Sequence, residues 1–311
     1  MPAHTPVMLK EAIRELNIHR EGTYVDMTFG RGGHSKAIIS ELNYGTLVAF
    51  DLDDEAIEHG GSLFDTNGVN FILRKTNFKD IVVALASVKI SSVDGILLDL
   101  GVSSPQFDTP ERGFSYRYDT PLDMRMDQSQ LLSAADIVNT YSAAELFRIF
   151  RDYGEEKFAK PIAREIERQR EVKRIATTGE LVELIKRVLP KKILFKDKHP
   201  AKQVFQALRI ETNDELENLR KALVDSAALL KNGGRLVVIT YHSLEDRIVK
   251  QFFRDISVIK GNRLNIPSSP LDGQTEYECV YRKSLTPVSE ELVDNPRSHS
   301  AKLRVLQRKN K

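Results

Sequence analysis

Short apolar runs alternate with helical stretches through the first hundred residues, and this alternation constrains the fold more than any other feature. Four such runs lie at residues 23–29, 46–51, 69–73 and 93–101. They lack polar alternation, which is typical of strands covered on both faces. Strands of this kind separated by helices form a parallel sheet with right-handed crossovers. The sequence therefore predicts an α/β fold with a Rossmann-like, doubly wound sheet.

The alternation stops after the fourth run. Residues 103–127 contain three prolines and no periodicity, and a stretch of this length predicts a long ordered loop. Residues 134–191 are charged and helical in character, without a strand signal. Together these segments predict a helical insertion, which we place at residues 107–209.

The α/β pattern returns towards the C-terminus. Residues 235–243 form an apolar run that predicts a strand followed by a helix. Two further β-rich segments, 277–283 and 301–308, are expected to form an antiparallel pair. The main domain is therefore predicted to be discontinuous and to comprise residues 1–106 and 210–311.

Composition limits the class of protein. The 311 residues are 41% apolar with a formal net charge of +2, so any nucleic-acid surface must be a local patch. The single cysteine, Cys279, forms neither an internal disulfide nor a zinc cluster, and no metal site is predicted. No segment resembles a signal peptide or reaches the roughly 18 apolar residues of a membrane helix. We expect a soluble, cytoplasmic protein.

A glycine-dense turn, VDMTFGRGGHS, follows the first predicted strand. Asp26 precedes Gly30, Gly32 and Gly33. The Gly-Lys-Ser/Thr of a phosphate-binding loop is absent, and Ser35 interrupts the Gly-x-Gly-x-x-Gly of a dinucleotide site. The pattern fits the first motif of an S-adenosylmethionine (SAM) site, where glycines let the methionine end approach the backbone and an acid favours its ammonium group. An ordinary turn that tolerates glycine is the alternative.

Two residues after the next strands point to a nucleoside. Asp51 ends the second strand, where a carboxylate can accept both ribose hydroxyls. NAD and SAM sites share this feature, so Asp51 does not distinguish between them. An acid placed ahead of the next helix is the alternative, although Asp53 and Asp54 serve that purpose better. Phe78, after the third strand, fits either stacking on adenine or a place in the core.

Asp99 ends the fourth strand, at the edge where ligands bind in open α/β sheets. Methylation of an exocyclic amine needs an acceptor that aligns the amine with the methyl–sulfur bond, and proton uptake adds general-base assistance. The usual motif is Asn/Asp-Pro-Pro-aromatic, whereas Asp99 is followed by Leu-Gly-Val-Ser-Ser-Pro. A role in the chemistry and a role limited to cofactor binding therefore both stay open. His242 is expected at the same edge, although a lone histidine is more often a core residue.

Longer blocks of sequence resemble a known family. They include DMTFGRGGHS, GILLDLGVSSPQFD, YGEEKFAKPIAR and GGRLVVITYHSLEDRIVK, and they extend from residue 4 to residue 304. On these blocks the chain resembles the RsmH (MraW) family of small-subunit rRNA cytosine-N4 methyltransferases. The resemblance implies a class I SAM-dependent methyltransferase fold with an rRNA-recognising insertion. It also implies N4-methylation of a cytidine in the decoding centre of 16S rRNA, within the assembled small ribosomal subunit.

The resemblance also implies a set of cofactor contacts but identifies no catalytic base. Asp99 and His242 are therefore our two candidates for the chemical step, with Asp99 near the amine and His242 orienting the cytosine. The implied SAM contacts, together with the first glycine of the turn, are Gly30, Gly32, Gly33, His34, Asp51, Phe78, Asp99 and Gln106.

The predicted insertion carries a local excess of positive charge. Residues 148–209 contain about 17 Lys and Arg against about 9 Asp and Glu, a pattern that predicts phosphate contacts. The densest stretch, 190–202, includes His199, which we assign to this basic surface. A solvated helix face with internal ion pairs is the alternative. Four aromatic residues are candidates for stacking on an unpaired base: Phe107, Phe114, Tyr116 and Tyr118.

Two other functions stay open. A nicotinamide-dependent dehydrogenase is disfavoured by the interrupted third glycine and by the lack of a recognisable catalytic Lys, Tyr or His set. A non-catalytic RNA-binding assembly factor is disfavoured because every cofactor position of the motif is intact. A homodimer through the C-terminal strands is compatible with the sequence, which does not require one.

Overall fold

The computed structural model describes residues 6–60, 66, 68–102, 104–194, 199–258 and 275–310. The chain divides into two compact units. The first comprises residues 1–101 and 216–311, and the second comprises residues 102–215. The insertion expected at residues 107–209 lies within the range of the second unit.

One seven-stranded sheet forms the first unit. Its order is β3-β2-β1-β4-β5-β7-β6, with β1 to β5 parallel and β7 antiparallel to both β5 and β6. The predicted parallel sheet and the predicted C-terminal antiparallel pair are both confirmed. The strands are β1 (Thr23–Asp26), β2 (Thr46–Asp51), β3 (Asn70–Lys75), β4 (Val93–Asp99), β5 (Leu230–Thr240), β6 (Tyr277–Cys279) and β7 (Lys302–Arg308).

The fifth strand differs from its predicted extent at both ends. It begins at Leu230, and the pairing with β4 shifts register between Val93 and Gly95. This irregularity accommodates Gly233, whose φ of 80° lies in the left-handed region, so the expected turn is contained within a longer strand. The strand ends at Thr240, and the predicted helix after it begins at Ser243.

Apolar cores cover both faces of the sheet. Along β5, Leu236 and Val238 belong to one core, whereas Val237 and Ile239 belong to the other. Successive side chains of a strand point to opposite faces, so a strand buried on both sides needs an unbroken apolar run. The helices of this unit are α1 (Leu9–Leu16), α2 (Gly33–Glu41), α3 (Asp54–Gly60), α4 (Ile81–Ser87), α12 (Glu215–Leu229), α13 (Ser243–Ser257) and α14 (Ser289–Asp294).

The strand order places three acids at one edge of the sheet. The order reverses between β1 and β4, and ligands of doubly wound sheets bind where such a reversal occurs, beyond the carboxyl ends of the strands. Asp26, Asp51 and Asp99 are the last residues of β1, β2 and β4. The topology therefore brings together acids that lie far apart in the sequence.

The second unit is helical. Its core includes Ile137, Phe150, Ile166 and Ile185, and α6, α7 and α9 each begin with a capping box. The prediction of a continuous loop at 103–127 is wrong in part, because its first residues form a helical turn. The helices are α5 (Ser104–Asp108), α6 (Ala134–Thr140), α7 (Ala143–Asp152), α8 (Ala159–Arg170), α9 (Thr178–Val188), α10 (Lys191–Leu194) and α11 (Lys202–Asn213).

A proline in the first turn of a helix removes no intrahelical hydrogen bond, which explains how this proline-containing segment includes helix α5. Ser103 of the fourth-strand motif lies outside the described residues. Within the described ranges, no helix combines the length and apolarity needed to cross a bilayer.

Candidate active site

The glycine turn connects β1 to α2 and depends on glycine at each of its three positions. Gly30 and Gly32 have φ values of 55° and 72°, in the left-handed region that favours glycine. Gly33 follows as the first residue of α2, and a Cβ there would lie 2.2 Å from Pro6 Cγ. The glycines therefore satisfy a backbone requirement and bring main chain, rather than side chain, to the edge of the sheet.

Asp26 stabilises this turn through side-chain hydrogen bonds. Its side chain is fully buried; Oδ2 accepts a hydrogen bond from Ser35 Oγ at 2.6 Å and Oδ1 accepts one from Thr28 N at 3.1 Å. Burial raises the pKa of Asp26 to about 6, although the hydrogen bonds from Ser35 and Thr28 oppose that rise. The acid of the motif thus shapes the turn through contacts within it.

Asp51 links the end of β2 to the same turn. Its Oδ2 accepts a hydrogen bond from Gly30 N at 2.7 Å, and its Oδ1 accepts one from Asp53 N at 2.9 Å. Burial raises the pKa of this carboxyl. Each carboxylate oxygen retains acceptor capacity beyond one bond, so the group is able to accept a ribose diol while it holds the turn.

Phe78 occupies an intermediate position. It begins a short 3-10 helix, Phe78–Asp80, in which Asn77 Oδ1 accepts a hydrogen bond from Lys79 N. The ring is half-buried and packs against the core on one face of the sheet. Part of the ring remains exposed, so the packing and adenine-stacking interpretations are both compatible with the structure.

Within the described ranges, Asp99 has one carboxylate oxygen that accepts a hydrogen bond and one that accepts none. Tyr241 Oη donates to Oδ1 at 2.7 Å, whereas Oδ2 lies 3.6 Å from His34 Nδ1, too far for a hydrogen bond. The Asp99 N–H donates to Thr28 Oγ1 at 2.8 Å, which ties the end of β4 to the glycine turn. The side chain is 21% exposed.

The electrostatics of Asp99 suit proton exchange. Burial raises the pKa of Asp99 to about 7, with smaller increases from the charges of Asp26 and Glu245, whereas the Tyr241 hydroxyl lowers it. Both protonation states are therefore populated near neutral pH. Burial also lowers the pKa of His34 to about 4, so its imidazole is neutral, and its buried Nε2 has no hydrogen-bond partner among the described residues.

His242 lies at the same edge, as the sequence predicts. Because β4 and β5 are parallel and Asp99 pairs with Ile239, His242 follows the adjacent carboxyl end as the N-cap of α13. Its Nε2 lies 3.0 Å from Glu245 Oε1, outside hydrogen-bond geometry. The imidazole also lines an open cavity of about 370 Å³, together with Tyr241, Ser243, Thr286, Pro287, Leu292, His299, Ser300, Ala301 and Lys302.

Two residues of this edge were absent from the sequence prediction. Tyr241 bonds Asp99, and Glu245 Oε2 accepts hydrogen bonds from the N–H groups of Tyr241 at 2.8 Å and His242 at 3.2 Å. Their sequence signal was adjacency to His242 within TYHSLED. That signal was insufficient, because only the pairing of β4 with β5 brings Tyr241 beside Asp99.

The remaining predicted residues lie in the second unit. Gln106 is in α5 and is buried. Phe114 belongs to the core of this unit, and Phe107 and Tyr116 pack against it. Phe114 is buried, Phe107 and Tyr116 are half-buried, and Tyr118 is 53% exposed. Tyr118 is therefore the ring that is most available for stacking on an unpaired base.

His199 is half-buried. Its ring stacks on Tyr116, with centroids 4.3 Å apart. Burial lowers the pKa of His199, and the positive charges of Lys186 and Arg117 lower it further. Its assignment to the basic surface stays a prediction.

The basic excess of the second unit divides into two groups. One group pairs with acids, as in the bonds of Arg168 to Glu165 and Lys186 to Glu183, so the ion-paired alternative holds for those residues. The other group is exposed and forms no ion pair within the described ranges: Lys157, Lys160, Arg164, Arg187, Lys191, Lys192 and Lys202. Residues 195–198 of the densest basic stretch lie outside the described residues.

Three solved structures match this chain over nearly its whole length at low sequence identity. An rRNA methylase from Streptococcus thermophilus matches with 12% identity and a TM-score of 0.43, over 100% of this chain and 99% of that one. A Clostridium thermocellum protein, described provisionally as an rRNA methylase, matches with 12% identity and a TM-score of 0.45, over 98% and 100%. A provisionally described Streptococcus mutans methyltransferase in complex with SAH matches with 12% identity and a TM-score of 0.44, over 98% and 99%.

The assignment comes instead from the family comparison. The model of the MraW methylase family matches residues 1–309, which is nearly the whole chain and includes both units. This match agrees with the class I strand order and with the acids at its carboxyl edge, and it confirms the resemblance found in the sequence. The chain therefore belongs to the MraW methylase family and is an S-adenosylmethionine-dependent rRNA methyltransferase.

Proposed function

We propose that this enzyme methylates N4 of a cytidine in the decoding centre of 16S rRNA, cytidine 1402, within the small ribosomal subunit. The observation that carries the proposal is the placement of Asp99, whose unbonded Oδ2 lies at the carboxyl end of β4 beside the glycine turn. An acceptor oxygen at this edge suits a weakly nucleophilic exocyclic amine, which must be aligned before it attacks. A ribosomal substrate also implies a cytoplasmic location.

The residues of the first unit fit SAM. The glycine turn leaves room for close approach of its methionine end, and Asp51 is able to accept its ribose hydroxyls. Phe78 is available to its adenine. When bound, SAM supplies an electrophilic methyl group.

Asp99 and His242 have different roles toward the cytosine. The target base must leave its stack, because its amine cannot reach the methyl group from within a helix. The Asp99 carboxylate accepts a hydrogen bond from the amine; as the nitrogen–methyl bond forms and the methyl–sulfur bond breaks, it can take the released proton. His242 orients the base from the neighbouring strand end. An unchanged methylation rate in His242→Ala would rule out that role.

The second unit is proposed to recognise rRNA. Lys160 and Arg164 lie four residues apart on α8 and are exposed, so they share one face of the helix. Neither forms an ion pair with the described residues. Unpaired cations of this kind are suited to phosphate contacts, which position a protein without reading sequence. Tyr118 is the most exposed candidate for stacking on an unpaired base.

The test combines label transfer with product identification. The enzyme is incubated with tritiated-methyl SAM and small subunits from cells lacking this protein, and nucleosides are then resolved by mass spectrometry. Label in N4-methylcytidine is the expected result. Subunits already modified by this protein are the matched control and should accept no label. Absence of label despite SAM binding would overturn the proposal in favour of an RNA-binding assembly factor.

A further inference from the structure

We propose that Tyr241 is a positioning residue: its hydroxyl holds Oδ1 of Asp99, so that Oδ2 is the oxygen offered to the acceptor amine. This inference rests on the proposed function of Asp99 and extends it to a residue that acts through that carboxylate. Tyr241 itself needs no contact with the amine.

The hydrogen-bond pattern distinguishes the two oxygens of Asp99. Oδ1 accepts from Tyr241 Oη at 2.7 Å, and Oδ2 lies 3.6 Å from Nδ1 of the neutral His34 imidazole, beyond hydrogen-bond distance. The Asp99 main chain is fixed by its bond to Thr28 Oγ1. Rotation of the carboxyl group is therefore restrained mainly by the phenol of Tyr241, since no other side chain within the described ranges bonds to it.

A backbone hydrogen bond and a ring contact fix the position of Tyr241. Its N–H donates to Glu245 Oε2 at 2.8 Å. Its ring lies against Gly101, where φ is 100° and a Cβ would lie 3.3 Å from Tyr241 Cδ2. The absence of a side chain at Gly101 leaves the space that the ring occupies. The same tyrosine lines the cavity beside His242, so it lies between this open space and Asp99.

The hydroxyl also affects which form of Asp99 is present. Burial, together with the Asp99 charge, raises the pKa of Tyr241 well above its ordinary value, so the phenol remains a proton donor throughout the working range. Its hydrogen bond lowers the pKa of Asp99, whereas burial, Asp26 and Glu245 raise it. Loss of the hydroxyl therefore raises the pKa of Asp99 further, and the carboxylate then forms only at a higher pH.

The decisive variant is Tyr241→Phe, with Tyr277→Phe as the matched control. Tyr277 Oη donates to Ala227 O at 3.0 Å, so the control also removes a phenolic hydrogen bond from the first unit. The kcat on small subunits at saturating SAM is measured from about pH 6 to pH 9, with SAM affinity measured by calorimetry. We expect Tyr241→Phe to lower kcat roughly fivefold at pH 7 and about tenfold near pH 6, with recovery at high pH, because a rise of one unit in the pKa of Asp99 reduces the carboxylate fraction by about these factors. SAM affinity and the Tyr277→Phe profile should stay close to wild type.

A second replacement at Tyr241 tests the inference even if Tyr241→Phe does not fold. Replacement of Tyr241 by 3-fluorotyrosine makes the hydroxyl more acidic and its hydrogen bond to Asp99 stronger. The acid limb of the pH profile should then move in the opposite direction, to lower pH. A role limited to packing would move neither limb.

Two results would overturn the inference. The first is a pH profile of kcat that is the same as wild type in both Tyr241→Phe and the 3-fluorotyrosine enzyme. The second is weaker SAM binding with kcat unchanged, which would place the Tyr241–Asp99 pair in cofactor binding alone. Both presuppose a wild-type enzyme that makes N4-methylcytidine. Failure of wild type to do so would refute the proposed function and is thus distinguishable from failure of the inference.

Discussion

Two sets of carboxyl groups, one at the sheet edge of the first unit and one at helix starts of the second, have opposite electrostatic characters. In the first unit, burial raises the pKa values of Asp26, Asp51 and Asp99. In the second unit, hydrogen bonds and ion pairs lower the pKa values of Asp136 and Glu180, which accept bonds at the starts of α6 and α9. One set of acids is held at the edge of a sheet without a bonded cation, whereas the other set stabilises helix ends.

The two sets of acids make folding stability depend on pH in opposite directions. A group whose folded-state pKa is raised costs stability above its unfolded-state pKa, and that cost is complete once the pH exceeds the folded-state value. A group whose folded-state pKa is lowered contributes stability above its unfolded-state pKa and loses it as the pH falls through the folded-state value. The buried acids at the carboxyl edge of the first unit therefore lower the free energy of unfolding at neutral pH, as expected of a site arranged for ligands. The capping acids of the second unit raise it at the same pH.

Among the variants that test this comparison, Asp99→Asn is expected to have the largest effect. We expect methylation to fall by about 10²–10⁴-fold, the usual contribution of a general base, because an amide cannot take the proton. The same change should stabilise the free enzyme by roughly 2 kcal/mol near pH 8, since it removes a buried charge. Urea unfolding of both proteins measures this gain.

The pH dependence of that gain follows from the raised pKa of Asp99, which is about 7 in the folded state. The advantage of Asp99→Asn should be absent near pH 4, where the carboxyl group is largely neutral, and should grow until pH 7. An advantage of equal size at both ends of this range would show that Asp99 does not carry the electrostatic cost of the site.

Asp51→Ala is expected to have the next largest effect. Removal of the carboxylate takes away the acceptor for two ribose hydroxyls, and hydrogen bonds to a charged group contribute about 1.5–3 kcal/mol each. The Kd of SAM, measured by calorimetry, should rise by roughly 100-fold. Asp54→Ala is the matched control, because Asp54 is an exposed acid that pairs with Lys75 at 2.7 Å. Normal SAM affinity in Asp51→Ala would refute the ribose assignment.

Much of the first unit was predictable because its strands are buried on both faces, which leaves an unbroken apolar signal in the sequence. The position of Asp99 followed from the same signal. Tyr241 did not, because its partner is 142 residues away in the chain and adjacent only through the pairing of β4 with β5. In the second unit, positive charge was visible in the sequence, but the ion pair of Arg174 with Asp136, 38 residues away in the chain, and the stacking of His199 on Tyr116 depend on packing.

A double variant, Lys160→Ala with Arg164→Ala, examines the cations of the second unit. We expect the KM for small subunits to rise up to about tenfold, with SAM affinity unchanged. The slope of log KM against log salt should decrease by about one for each phosphate that no longer has a cation beside it. Arg168→Ala is the control, because this exposed arginine already pairs with Glu165 at 2.7 Å. Equal effects of the control and the double variant would indicate that net charge, rather than unpaired cations, governs RNA binding.

Ser133→Ala should have the smallest effect and should be confined to the second unit. Asp136 Oδ2 accepts bonds from Ser133 Oγ at 2.6 Å and Ser133 N at 3.1 Å, and Ser133 Oγ accepts from Asp136 N. Loss of this N-cap should cost about 1 kcal/mol. Hydrogen exchange, followed peptide by peptide, should show weaker protection in α6 at neutral pH. The difference should become smaller only as the pH falls through the lowered pKa of Asp136, where its carboxylate becomes protonated. A loss that persisted unchanged at low pH would mean that the serine hydroxyl alone forms the cap. The capping acids of the second unit would then not be the counterpart of the buried acids of the first.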